Sequence, residues 1–342
     1  MRPFLVRRIA TALVQLTVMV VAVFFLIRLL PADPVARFVG FNATAEAYAA
    51  AARNLGLDRS LVEQFIAFLG VNPEVYGPGL LQGSLGTSWV TGEPVLEEIV
   101  TYLPITLELV TLSFLVAIAI GVPVGALGAL RPGGLADKVT LHYGLFAGSQ
   151  PEFCWGLLFV YVFFEVLGIA PGPVGRLSPF TEPPEAITGF LTLDSLLAGR
   201  FATFAEALYY LMLPVATLAF VLSGPIIKMV RENTARVLRS DFILYARAAG
   251  LPERVVARRA LRAAIAPSVT LIGVLYAFML GGAVLVESVF SLGGLGQYAI
   301  RSILAFDYPA IQGVVLAISA VSLGVYLLVD VLHALLDPRV TL

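Results

Sequence analysis

Five stretches of the chain, residues 9–27, 109–130, 207–227, 265–286 and 310–329, contain no Asp, Glu, Lys or Arg. Each is at least as long as the ~18 mostly apolar residues that carry a helix across a hydrocarbon core. A sixth window, 141–164, is as apolar apart from His142 and Glu152. Only 13% of all residues are charged, about half the usual share of a soluble domain. These windows predict an all-α integral membrane protein with six transmembrane helices. The first follows Arg7 and Arg8, as a signal peptide would. Its 19 uncharged residues and the ending Arg28-Leu-Leu-Pro31 do not match a short apolar core with a small-residue cleavage site, so a retained helix is expected.

Lys and Arg concentrate on the cytoplasmic side of membrane proteins. With both termini inside, the inner segments hold Arg2, Arg7, Arg8, Arg131, Lys138, Lys228, Arg231, Arg236, Arg239, Arg247, Arg254, Arg258, Arg259, Arg262 and Arg339. That is 15 of the 22 basic residues. The remaining seven, Arg28, Arg37, Arg53, Arg59, Arg176, Arg200 and Arg301, are spread over much longer outer segments. Both termini are therefore expected in the cytoplasm. The segment 31–104 is then a large extracytoplasmic element, within which Leu61, Phe65, Ile66 and Leu69 recur at helical spacing. The second outer segment, 168–203, carries Pro171, Pro173, Pro179, Pro183 and Pro184 and reads as irregular. The large inner segment is 228–264.

Several chemistries lack their residues. A phosphate-binding loop ends in Gly-Lys-Ser/Thr, but the two lysines, Lys138 and Lys228, have neither neighbour. His142 and His333 fall in different windows without metal-ligand spacing. No Gly-x-Ser-x-Gly elbow occurs. Cys154 is alone, so no intrachain disulfide forms. A net charge of −1 gives no electrostatic reason for a nucleic-acid partner. The chain is expected to bind no cofactor and no metal, and not to be an enzyme by itself.

Two places carry candidate function. Within 141–164, Ser149, Gln150 and Glu152 surround Pro151. A carboxylate in a span is costly to insert, so Glu152 either lines a translocation path or caps the broken helix or pairs with His142 or a partner subunit. Glu287, at the end of a span, is expected to reach water in a structural role. On the inner side, Asp241-Phe-Ile-Leu-Tyr-Ala-Arg-Ala-Ala-Gly250-Leu-Pro252 reads as a short helix. Ser240 or Asp241 would cap its start, Gly250 would stop it in a left-handed conformation, and Pro252 would open the next helix. Such a helix suits a groove on another protein, and equally a plain surface turn. Arg254, Arg258, Arg259 and Arg262 form a basic side on the next helix, fit for lipid headgroups or for a partner protein.

The stretch Tyr245-Ala246-Arg247-Ala248-Ala249-Gly250-Leu251 and the following Arg258-Arg-Ala-Leu-Arg-Ala-Ala-Ile-Ala-Pro267 resemble the cytoplasmic loop of binding-protein-dependent ABC importer permeases of the dipeptide/oligopeptide group. Further matches run in order along the chain: Leu29-Leu-Pro-Ala-Asp-Pro34 (with Ala32 for the family's Gly), Leu55-Gly-Leu-Asp58, Gly83-Ser-Leu-Gly-Thr-Ser88, Ser149-Gln-Pro-Glu-Phe153, Glu287-Ser-Val-Phe-Ser-Leu-Gly-Gly-Leu-Gly296 and Asp337-Pro-Arg339. The chain departs from the pattern at Glu152, Gly293 and His333.

The resemblance implies a type I ABC importer permease fold, with an N-terminal helix and outer segment (1–103) and a permease domain (104–336). It implies that residues 245–251 couple to an ATPase. The implied partners are a second homologous permease subunit, two ABC ATPase subunits that bind ATP and Mg, an extracytoplasmic solute-binding protein touching the outer segments, and membrane lipid. The implied cargo is short peptides, with nickel chelates or glutathione as alternatives within the same machinery. A self-sufficient secondary transporter is the alternative of another class. It calls for paired intramembrane carboxylates across inverted repeats, whereas no repeat is visible and Glu152 stands out as the deep acid.

Overall fold

The computed structural model describes residues 2–29, 31, 33–40 and 42–336, without the side chains of 2–5, 266, 267, 269, 270 and 333–336. Ala32, the closing 337–339 motif and the side chains of Pro267 and His333 lie outside the described residues. The described chain is helical, with one isolated β-bridge between Thr87 and Pro94. Five helices are long and apolar enough to cross a membrane. They are α1 (Arg2–Leu29), α6 (Val95–Leu130), α10 (Phe201–Leu238), α12 (Glu253–Phe290) and α14 (Tyr308–Leu336). Between α1 and α6 lie α2 (Pro34–Val39), α3 (Ala45–Asn54), α4 (Leu61–Leu69) and α5 (Pro73–Tyr76). Shorter elements link the rest: α7 (Leu135–Ala147), α8 (Glu152–Phe159), α9 (Leu191–Leu197), α11 (Asp241–Ala248) and α13 (Leu295–Ala305).

The inner segment 228–264 is not a loop. At 1.5 Å per residue, the 38 residues of α10 span about 57 Å, far beyond a ~30 Å hydrocarbon core. Both α10 and α12 therefore run on past the apolar windows, and only the α11 hairpin joins them. Residue 104 likewise lies inside α6, which passes the 103/104 boundary without a break.

The sixth apolar window is two helices. Pro151 has no N–H for the carbonyl of Ala147, four residues earlier. The indole Nε1–H of Trp155 donates to that carbonyl at 3.1 Å instead. Both residues are buried, so the break leaves this acceptor satisfied without water. After α8 the chain continues as a π-helical segment, Val160–Val166.

The core is built around α10, against α6, α8 and α12. Lipid tails are as apolar as leucine, so close backbone approach and dispersion hold such helices together. A side chain at Gly121 would meet Ile226, and one at Gly125 would meet the Ile227 carbonyl at 2.6 Å. These two glycines, one turn apart on α6, let α10 approach.

α1 lies on the periphery against α14. Arg8 pairs with Asp330 at 3.2 Å near one end, and Arg28 stands 5.6 Å from the Tyr308 ring near the other. The first of these ends also carries α11.

The opposite end is held by carboxylates. Glu108 on α6 is fully buried. It accepts from the Thr192 N–H and Oγ1–H, both at 2.7 Å, and from Arg176 at 2.9 Å. Glu206 accepts from the Ser178 N–H at 3.0 Å and from Thr181 Oγ1–H at 2.9 Å. Asp194 accepts from the N–H groups of residues 187–189 and from Thr188 Oγ1–H. Burial opposes the Asp194 charge, but these donors outweigh it and hold the carboxyl below the usual range. The 168–203 segment is irregular up to residue 190, as read from its prolines. It also contains the unforeseen helix α9, whose Leu191, Thr192, Asp194 and Ser195 are buried.

Glu287 does not reach water. It is 0% exposed and accepts from Thr106 Oγ1–H at 2.5 Å and from the N–H groups of Gly296 and Gln297 at 2.9 and 3.2 Å. Its carboxylate thus occupies the positive N-terminus of α13. A side chain at Gly294 would strike that carboxylate at 2.5 Å, which accounts for the glycine in the Glu287–Gly296 motif. Its role is structural, as the sequence suggests, but by burial rather than by snorkelling.

Arg176→Ala is expected to leave Glu108 buried with an uncompensated charge, at a cost of about 3–5 kcal/mol. Thermal unfolding in detergent checks this, with Glu108→Gln/Arg176→Ala expected to recover most of the loss. Because Asp194 is depressed, its stabilisation is present above the unfolded carboxyl range near pH ~4 and lost as pH falls through the folded value. Hydrogen exchange of residues 187–190 should show this loss in acid, and Asp194→Asn should show it already at neutral pH.

Candidate functional site

Two regions carry the candidate residues: the α11 hairpin, and the broken helix with the faces around it.

Helix α11 has eight residues. At its start the Ser240 carbonyl accepts from the N–H groups of Ile243 and Leu244. The Ser240 hydroxyl turns back to the Val237 carbonyl at 2.5 Å, so neither Ser240 nor Asp241 supplies the side-chain cap expected from sequence. The end follows the expectation. Gly250 has φ +75, the Gly250 N–H reaches the Arg247 carbonyl, and the Leu251 N–H reaches the Ala246 carbonyl. This is a Schellman motif, which satisfies the last carbonyls of the helix. Leu251 closes it by packing on Ile243 and Ala246, which lie against Val256 and Ala260 of α12.

This packing fixes which side chains point outward. Ile243 and Ala246 are buried, whereas Phe242, Leu244 and Tyr245 are exposed, Tyr245 at 77%. Ala248 and Ala249 are also exposed. Arg247 points back along the hairpin. Its Nε donates to Glu253 at 3.0 Å and its second guanidinium nitrogen to the same carboxylate at 3.3 Å. The pair is exposed and contributes roughly 0–1 kcal/mol, enough to bias the angle between α11 and α12. Arg254, Arg258, Arg259 and Arg262 are all exposed, and no ion pair involves them among the described residues. Arg254, Arg258 and Arg262 line a shallow groove of about 510 Å³ with Leu261 and Ile265. Arg259 does not line it.

At the break, Ser149 Oγ–H donates to the Phe146 carbonyl at 2.7 Å, and Ser149 and Gln150 are exposed. Glu152 is half-buried and makes no cap bond to α8. His142 is not its partner, since His142 Nδ1 lies 2.7 Å from the Lys138 carbonyl. The Glu152 carboxylate lies over Gly282 of α12, where an added Cβ would come within 3.2 Å of it. It lines a cavity of about 70 Å³ with Leu222, Pro225, Leu275 and Phe278. Pro225 also borders a second cavity of about 490 Å³, lined by Lys228, Glu232, Asn233, Arg236 and Leu271. On both α10 and α12 these positions recur every three to four residues, so two helix faces form one lined strip.

The model of the family described as "Binding-protein-dependent transport system inner membrane component" matches residues 121–342. The chain belongs to this family. The N-terminal model of the same transport-system membrane component matches residues 1–110. The permease is 38% identical over 321 residues to the probable D,D-dipeptide transport system permease protein of Escherichia coli K12, covering 94% of this chain and 92% of that one. It is 36% identical to the di/tripeptide transport system permease protein of Pseudomonas aeruginosa, with 99% of both chains covered. Against the dipeptide transport system permease protein of E. coli K12 the identity is 32%, again over 99% of each. The permease is a multi-pass protein of the bacterial cytoplasmic membrane.

Sequence reasoning passed over Glu108 of the permease and misplaced Glu287, both fully buried where Glu152 is half-buried. Glu108 stands immediately before a charge-free window, and Glu287 stands at the end of one, where a carboxylate is expected to reach water. Their partners, Thr192 and Thr106, lie 84 and 181 residues away, and no local pattern announces them. It also missed the α10 strip, where Lys228, Glu232 and Arg236 recur at one helical spacing.

Gly250→Val is expected to cost about 1–2 kcal/mol by forcing a branched residue into the left-handed region. No atom crowds the site, so the cost is conformational. Hydrogen exchange should rise at residues 250 and 251 of the permease and stay unchanged in α10.

Proposed function

We propose that this chain is one of two permease subunits of an ATP-driven importer of short peptides, and that α11 receives the ATPase stroke. The observation that carries this reading is the exposed Phe242, Leu244 and Tyr245 on a helix whose opposite face is bonded to α12. A short helix closed at its end by Gly250, packed on α12 and braced by Arg247–Glu253 transmits force where a loose turn would absorb it. Residues 245–251 therefore divide their work. Tyr245, with Ala248 and Ala249 beside it, enters a groove on the ATPase, Ala246 and Leu251 anchor the helix, and Gly250 shapes its end. Arg247 acts as the brace rather than as the contact itself.

Six crossings follow if the broken helix α7–α8 spans together with the five long ones, with both termini and α11 in the cytoplasm. The basic side of α12, Arg254 to Arg262, then faces lipid headgroups or the ATPase. ATP and Mg belong to two separate ATPase subunits, since the sequence lacks a Gly-Lys-Ser/Thr loop. An extracytoplasmic binding protein delivers the cargo onto the outer segments, where Phe180 is 96% exposed. Peptide cargo is carried over from the names of the relatives. Transport proceeds by alternating access, with nucleotide binding favouring one of two arrangements of the helices.

Glu152 and the α10 and α12 strip form this subunit's wall of the path, with Ser149 and Gln150 at its turn. Glu108 and Glu287 do not serve there, because donors already occupy their oxygens.

The reading is tested by cysteine cross-linking from Tyr245 and Phe242 in a Cys154-free background. Both positions should reach the ATPase in at least one nucleotide state, whereas failure of both in every state refutes coupling through α11. Gly250→Val should retain membrane insertion and lose ATP-driven uptake. Glu152→Gln should lower dipeptide uptake by about tenfold at equal expression, in the range set by one charge-assisted hydrogen bond. Unchanged uptake would remove Glu152 from the path.

A further inference from the structure

A cavity of about 620 Å³ lies at the end away from α11, between the end of α1, the α3–α5 segment and the start of α14. It is separate from the Glu152 strip. Arg28, Arg53 and Arg59 line it, and no Asp or Glu does. No carboxylate lies within ion-pair distance of any of the three among the described residues. Tyr76 and Trp89 supply aromatic wall, with the Arg59 guanidinium 4.8 Å from the Tyr76 ring centre. Arg28 is held in place by Gln64 Oε1 at 2.8 Å and by the Phe24 carbonyl at 3.3 Å, which leaves further N–H groups of its fork uncommitted.

The decisive group is Gln312 on α14. Its side chain lines the cavity, the residue is 3% exposed, and its buried Nε2 has no hydrogen-bond partner. Buried polar groups are paired as a rule, and an exception marks a missing partner. An amide –NH2 is a donor, so the missing partner is an acceptor. Three arginines that donate only, with no acid in the cavity lining, favour a negative acceptor.

We infer that this cavity binds a small oxyanion-bearing molecule, a carboxylate or phosphate on an apolar or aromatic body. Its anionic end sits between the arginines and Gln312, and its body lies against Tyr76 and Trp89. The volume falls within the roughly 300–1,000 Å³ of small-molecule sites. The oxyanion comes either from a soluble molecule on that side of the membrane or from a phospholipid headgroup. The inference stands apart from the coupling role of α11 and survives its failure.

Saturation-transfer NMR on the full-length permease in phosphatidylcholine nanodiscs tests it, with N-acetylphenylalanine, phenyl phosphate and N-acetylphenylalaninamide as probes. The two anions should receive saturation and the neutral amide should not. The Arg53→Gln/Arg59→Gln variant changes two exposed positions and should weaken the anion signals about tenfold. Gln312→Leu should weaken them too, while Gln312→Glu should abolish them. In phosphatidylglycerol nanodiscs, loss of the anion signals assigns the site to the headgroup, and their retention assigns it to a soluble ligand. Equal signals from acid and amide, or anion signals unchanged in the double arginine variant, would overturn the inference.

Discussion

Hydrocarbon returns no hydrogen bonds, and this permease is organised by that fact. Each backbone group inside the bilayer must find its partner in the chain, which limits the spans to helices and makes any interruption expensive. The break at Pro151 persists because Trp155 takes up the Ala147 carbonyl. The same demand explains the opposite end of the bundle. Glu108, Glu287 and Asp194 lie inside protein; Glu108 and Glu287 gather donors from segments distant in sequence, and Asp194 from the turn just before its own helix. Glu108 and Glu287 act as knots that tie chain between the long helices to the ends of α6 and α12. Removing one donor from such a knot does more harm than its bond energy suggests, because the stranded charge cannot reach water.

At the α11 end the solution is mechanical. α11 is too short to be stable alone. It exists because Ile243 and Ala246 pack on Val256 and Ala260, because Gly250 closes its last turn, and because Arg247 grips Glu253. α11 is in effect an offset continuation of α12. A push on its exposed face is delivered to a helix 38 residues long, whose far end holds α13 through Glu287. One continuous element thus joins the α11 hairpin to the carboxylate knot at the opposite end.

The legible part of this structure was periodic or local. Charge-free windows marked the long helices, Ser149-Gln-Pro151 marked the break, and Gly250 marked a left-handed stop that the structure contains at φ +75. The helical spacing of Leu61, Phe65, Ile66 and Leu69 became α4, capped by Ser60 and Glu63. What stayed hidden depended on contacts between distant residues. A carboxylate beside an apolar window looks the same whether it reaches water or sits under another helix, so Glu108 went unnoticed and Glu287 was placed at the surface. The Ser240 side-chain cap is absent because the hydroxyl donates to the Val237 carbonyl and does not accept from the first N–H groups of α11. The family was legible because its motifs sit at those constrained positions: a helix stop, a helix break, and glycines against Glu287.

The unity of α11 and α12 is the claim on which the mechanical account rests, and a spin-label distance tests it directly. Labels at Leu244 and Arg262, both exposed, report the hairpin angle in the assembled transporter by double electron–electron resonance. If α11 moves as part of α12, the distance distribution keeps its mean and width with and without a non-hydrolysable ATP analogue. A shift or a broadening on nucleotide binding would mean that the hairpin bends and absorbs the stroke, which would contradict the account.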